Sequence, residues 1–178
     1  MPVTFGVAGG SGSSVNGGSV AMVQLKFAPR WLFLSNGANS PVEFPDKVGA
    51  ANVNGIFSSG DWFPTSTAAG SAQFTQEYLK AYGGTPTDID STSAEAYSCG
   101  MLLEQVAKKT GKIDNATITS TLHHGVWPTL EGDLSWDADG APTGSFLLVQ
   151  WVDGKLLPVW PAARAQHAPI GQPLPWAT

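Results

Sequence analysis

Residues 3–34 read VTFGVAGGSGSSVNGGSVAMVQLKFAPRWLFL, and this stretch decides the fold class. Residues 3–8 form a short apolar run suited to a buried strand, and the Gly/Ser-rich residues 9–18 that follow favour no regular element. From Ser19 to Phe27, the apolar residues Val20, Val23 and Phe27 recur at i, i+3 and i+7, which predicts a helix stopped by Pro29. Trp31, Leu32, Phe33 and Leu34 are all apolar, as expected of a strand covered by helices on both faces. Strand, loop, helix, strand is a βαβ unit, so the chain is read as α/β with a parallel sheet. Ligands of such sheets sit at the carboxyl ends of the strands, which directs attention to residues 9–14 and to Ser35, Asn36 and Gly37.

Outward from this unit, Asn54-Gly55 marks a turn and Ile56-Phe57 starts another strand, leading through residues 58–61 to Trp62, Phe63 and Pro64. A helix is predicted from about Thr67 to Tyr82, with Phe74, Tyr78 and Tyr82 in register and Gly83-Gly84 as its stop. The next helix, capped by Ser93 or a neighbour, carries one stripe of Ala94, Tyr97 and Met101 and another of Ser98, Leu102 and Val106. Asp114 is read as the N-cap of a short helix reaching His123 and His124. Beyond Trp127 the pattern shortens to strands over 132–136 and 145–152, and Asp153-Gly154 is a hairpin signal. The last eighteen residues contain four prolines, Pro161, Pro169, Pro173 and Pro175, and are read as an extended strap or a disordered tail.

Composition narrows the function. The 178 residues carry 9 Lys+Arg against 14 Asp+Glu, a net charge of −5, which argues against nucleic acid as a partner. Only 13% of residues are charged, against roughly 25% in an average domain, while hydrophobic residues at 42% are ample for a core. No apolar run reaches the ~18 residues of a membrane-spanning helix, and the first residues lack the basic and apolar regions of an export signal. The single cysteine, Cys99, excludes an intramolecular disulfide and a multi-cysteine zinc site.

No catalytic or cofactor constellation emerges. The glycine-rich loop has Val15 where a third glycine would stand and no following Lys, so it matches neither nucleotide fingerprint. His123 and His124, adjacent on a helix, point about 100° apart and do not share a metal. Asp137 and Asp139 resemble the opening of a calcium loop that lacks its closing Glu, so a reverse turn is expected. Ser11 does not sit in a G-x-S-x-G elbow, and no enzyme activity, cofactor or metal is expected. Trp62 and Tyr97 each have two readings, a cleft wall or ordinary core packing.

Five segments in order, NGIFSSGDWFP at 54–64, FTQEYLKAYG at 74–83, AEAYSCGMLL at 94–103, GDLSWDADG at 132–140 and VQWVDGK at 149–155 with VWP at 159–161, resemble one family. It is the type I periplasmic solute-binding proteins of branched-chain amino-acid ABC transporters. The resemblance covers residues 3–161 and looks like the C-terminal half of a two-lobed receptor. It implies a partial type I periplasmic-binding-protein fold, with residues 1–60 and 144–160 in the second lobe, 61–143 in the first, and 161–178 as a tail. It further implies a small polar or carboxylate ligand held between lobes by Ser11, Asn36, Trp62 and Tyr97, transporter membrane subunits as partners, and a periplasmic location. Asn36 is a neutral amide where amino-acid binders place an acid to meet the ligand ammonium. A chain of incomplete lobes is expected to pair as a homodimer, and the alternative is a remnant or interaction protein without a ligand.

Overall fold

The computed structural model describes residues 5–8, 12–143, 146–171 and 173–176, with residues 5–8 and 12–14 described by their backbone. In chain order the elements are β1 (Phe5–Ala8), α1 (Gly12–Gln24), β2 (Trp31–Leu34), α2 (Glu43–Val48), β3 (Phe57–Gly60), α3 (Ser71–Tyr82), α4 (Ser91–Thr110) and α5 (Asn115–Leu122). Four strands complete the order: β4 (Trp127–Thr129), β5 (Gly132–Leu134), β6 (Leu147–Val152) and β7 (Lys155–Trp160). They fall into two compact units, Met1–Gly60 with Phe146–Thr178, and Asp61–Ser145.

The first unit is a five-stranded sheet in the order β1-β2-β3-β6-β7. Its first three strands are parallel, as the opening βαβ pattern predicts, and β6 and β7 join antiparallel through a hairpin. Asp153 and Gly154 both take positive φ at the turn, 51° and 73°, which is why a two-residue loop closes here. Helix α1 begins at Gly12 rather than Ser19, running through glycines that weaken a helix. Tertiary burial outweighs that propensity: Val15, Asn16 and Ser19 are buried, and Val20, Met22 and Val23 pack against the core. Phe27, placed on the buried face by periodicity, lies past the helix end and is half exposed. Helix α2 escaped the sequence reading because Pro45 suggests a break; in the first turn a proline loses no hydrogen bond, and Phe44 and Val48 bury one turn apart.

Trp151 anchors this core, donating from Nε1 to the Ala38 carbonyl at 2.7 Å with its ring centroid 6.1 Å from that of Phe44. The tail is a docked strap. Gln150, fully buried on β6, donates from Nε2 to the Gly55 and Ile170 carbonyls at 3.1 and 2.8 Å and accepts from the Ile170 N–H at 2.8 Å. Farther on, Leu174 and Trp176 join the core cluster, and Trp176 Nε1 donates to the Phe27 carbonyl at 2.9 Å.

The second unit is three helices with the β4–β5 hairpin. Helix α4 is capped by Asp90, whose side chain accepts from the Thr92 N–H at 3.0 Å, three residues before the Ser93 expected from sequence. It ends at Gly111 in the left-handed region, φ 69°, after Lys108 and Lys109 in its last turn. Its buried stripe is Ser91, Ala94, Ser98, Leu102 and Val106. Leu102 and Val106 meet Trp127, with Ile118, Leu122, Leu134 and Trp136 against them. A second cluster gathers Trp62, Phe74, Ile89, Ala94 and Leu130.

Candidate functional site

In the first unit, the loop after β2 lies at the carboxyl edge of the parallel strands. Ser35 and Asn36 are exposed there. Two serines of the neighbouring β3 hold the loop in place: Ser58 Oγ donates to the Leu34 carbonyl at 2.7 Å and Ser59 Oγ to the Ser35 carbonyl at 3.2 Å. The result is a neutral surface of hydroxyl and amide groups on a fixed backbone. Ser11, in the loop before α1, lies outside the described residues.

In the second unit, Trp62 is 1% exposed and packs edge-on against Phe74, with centroids 5.4 Å apart and ring planes at 89°. Its Nε1 donates to Ser71 Oγ at 3.2 Å, and the Ser71 hydroxyl donates to the Leu130 carbonyl at 3.2 Å. The Leu130 N–H in turn donates to Ser98 Oγ on α4 at 3.2 Å. Trp62 is therefore tied to α3, α4 and the hairpin at once. Tyr97 is 46% exposed, its ring centroid 5.1 Å from that of Phe74. Phe74 thus links Trp62 and Tyr97, the buried ring supporting the exposed one, while Asn36 belongs to the other unit.

Sequence reasoning missed a set of carboxyls in the second unit. Asp61, directly after β3, is hydrogen-bonded to Glu95 on α4, and Glu131 and Asp90 add negative charge around Glu95. Burial, then the hydrogen bond to Asp61, then these charges raise the Glu95 carboxyl from 4.5 to about 7. Residues 34 positions apart give no local signal of such a contact. Asp90 and Asp61 are each visible in sequence only as a cap and a strand-end residue.

The remaining candidates resolve into local structure. Asp137 Oδ1 accepts from the N–H groups of Asp139 and Ala141, both at 2.9 Å, which occupies it in its own reverse turn. His124 Nδ1 contacts the Ser120 carbonyl at 2.6 Å near the end of α5, and both histidines border a shallow groove with Asn115 and Thr119. Among the described residues no group of three His, Cys, Asp or Glu side chains could hold a metal, and no helix is long and apolar enough to cross a membrane.

A family model described as "Periplasmic binding protein" matches residues 39–155. No curated protein matches the chain by sequence. Among solved structures, the leucine-binding protein LivK of Thermotoga maritima aligns over 86% of this chain and 43% of its own, with TM-score 0.69 and 20% identity. LivJ of Streptococcus pneumoniae, a branched-chain amino-acid transporter substrate-binding protein in complex with isoleucine, aligns over 88% of this chain and 43% of its own, with TM-score 0.70 and 18% identity. A solute-binding protein of an ABC transporter from R. palustris, in complex with 4-hydroxybenzoate, aligns over 80% of this chain and 40% of its own, with TM-score 0.60 and 23% identity. The chain spans less than half the length of these relatives. Parallel strands with an antiparallel hairpin, a second helical unit and a family match over residues 39–155 lead to one assignment: the chain belongs to the periplasmic binding protein family.

Proposed function

We propose that this chain is part of an ABC-transporter receptor that binds a small polar or carboxylate-bearing solute, performs no chemistry on it, and works in the periplasm. The family match over residues 39–155 carries this reading. Ser11, Asn36 and Tyr97, the last backed by Trp62 through Phe74, are the side chains expected to meet the solute. Solved proteins of this fold hold isoleucine in one case and 4-hydroxybenzoate in another. The chemistry of the β2 loop favours the second kind of ligand. A desolvated ammonium needs a carboxylate partner, and Ser35-Asn36-Gly37 offers neutral groups only. Carboxylates without an α-ammonium are therefore the expected solutes.

Large apolar side chains stand exposed on the described surface, and the binding form is expected to be a homodimer that covers them. Leu25, Ile113 and Val126, each more than 60% exposed, are examples of what pairing would cover. Sedimentation velocity beside a thermal-shift screen tests both points. Benzoates at about 100 times Kd should stabilise the dimer by roughly 2.7 kcal/mol, and leucine or isoleucine by much less. Equal stabilisation by the amino acids would contradict the assigned ligand class, and a monomer would contradict the dimer. No shift with any solute would support the other reading, an interaction protein without a ligand.

A further inference from the structure

The chain contains three Asn-Gly pairs, Asn16-Gly17, Asn36-Gly37 and Asn54-Gly55. In such a pair the main-chain nitrogen of the glycine can attack the side-chain amide carbon of the asparagine before it, because no Cβ obstructs the approach. The attack needs backbone freedom and room for the side chain to swing, and the fold treats the three pairs differently. Asn16-Gly17 lies inside α1, where the Gly17 nitrogen belongs to the helical hydrogen-bond ladder and Asn16 is 6% exposed. Asn54-Gly55 is held at both ends of the reaction. Asn54 Oδ1 accepts from the Gly154 N–H at 2.8 Å, and the attacking nitrogen of Gly55 donates its proton to the Trp151 carbonyl at 2.9 Å in a buried turn. Asn36-Gly37 stands outside any helix or strand, in the loop between β2 and α2, with Asn36 exposed and Gly37 at φ 81°. The hydroxyls of Ser58 and Ser59 hold the Leu34 and Ser35 carbonyls, just before this pair.

We propose that Asn36 is a site of spontaneous deamidation, the one of these three asparagines that the fold leaves open to it. The Gly37 nitrogen forms a bond to Asn36 Cγ, the Cγ–Nδ2 bond breaks, and the proton from Gly37 leaves with Nδ2 as ammonia. Water then opens the resulting cyclic imide at either carbonyl, giving aspartate or isoaspartate. No electron is gained or lost. Each conversion replaces a neutral amide by a carboxylate beside Ser35, in a loop that offers only neutral groups. The added charge would repel a carboxylate solute, so the modified chain should hold such a solute more weakly. That consequence rests on the proposed function of this loop, whereas the modification itself rests on the loop's geometry alone.

Peptide mass spectrometry of the full chain, aged in mildly alkaline buffer without any solute, reads the modification directly. Cleavage after Lys26, Arg30, Lys47 and Lys80 places the three pairs on separate peptides. In the folded protein Asn36 should gain its mass unit about tenfold faster than Asn16 or Asn54, which must wait for local opening. In the same chain unfolded in urea the three rates should draw together. Asn36→Gln, whose longer side chain closes the ring more slowly, should lose the early acidic species seen on ion exchange. An Asn36 rate no faster than that of Asn54 in the folded protein, the same ratio of rates in urea, or an undiminished acidic species in Asn36→Gln would overturn the assignment. Because no solute is present, these results stand apart from whether the chain binds one.

Discussion

Removal of residues 162–178 is expected to abolish cooperative folding of the unit that contains the five-stranded sheet. The strap closes the core: Leu174 and Trp176 are 2% and 6% exposed and pack with Leu32, Phe44 and Trp151. Losing a buried Trp typically costs about 3–5 kcal/mol and a buried Leu about 2–5. Deletion also strips Gln150 of both backbone partners at Ile170, leaving a fully buried amide half satisfied at about 1–3 kcal/mol. The sum reaches the whole stability of a typical domain, about 5–15 kcal/mol. Loss of the near-ultraviolet circular dichroism of the tryptophans, with helices of the other unit retained in the far ultraviolet, is the expected signature. An unchanged denaturation midpoint would show that the strap only lies on the surface.

Trp62→Ala is expected to destabilise the second unit by about 3–5 kcal/mol. The indole fills the centre of the cluster with Phe74, Ile89, Ala94 and Leu130, and its N–H begins the relay through Ser71 to Leu130. Trp62→Phe keeps part of the ring packing and loses the hydrogen bond, so its cost should be smaller. Because Trp62 supports Phe74, and Phe74 supports Tyr97, both variants should also shift the Tyr97 ring signals. Guanidinium unfolding followed by tyrosine and tryptophan fluorescence measures the loss. Full stability in Trp62→Ala would return this residue to the role of a pocket wall.

What the sequence made legible follows from the range of the forces involved. The β1–α1–β2 unit, the Asp153-Gly154 hairpin, the Asp114 cap and the Gly83 and Gly111 stops are local, set by periodicity, turn chemistry and capping. Helix α1 over Gly12–Gln24 was legible only in its second half, because its first half is held by burial of Val15, Asn16 and Ser19 against distant residues. The strap was open between order and disorder because its anchor, Gln150, lies 20 residues from Ile170 and 26 from Trp176. For the site, the loop carrying Asn36 and the aromatic pair of Trp62 and Tyr97 could be named from position and chemistry. Which ring is buried could not, since both are aromatic residues near element ends and only packing distinguishes them. The Asp61–Glu95 pair was invisible for the same reason as the strap.

Binding of a small carboxylate solute, as proposed above, is open to amide chemical-shift mapping of the isotope-labelled protein. Titration with 4-hydroxybenzoate should move the signals of Ser35, Asn36 and Gly37 saturably, and isoleucine should move them less at equal concentration. Titrations with both solutes that leave every one of these signals in place would contradict it.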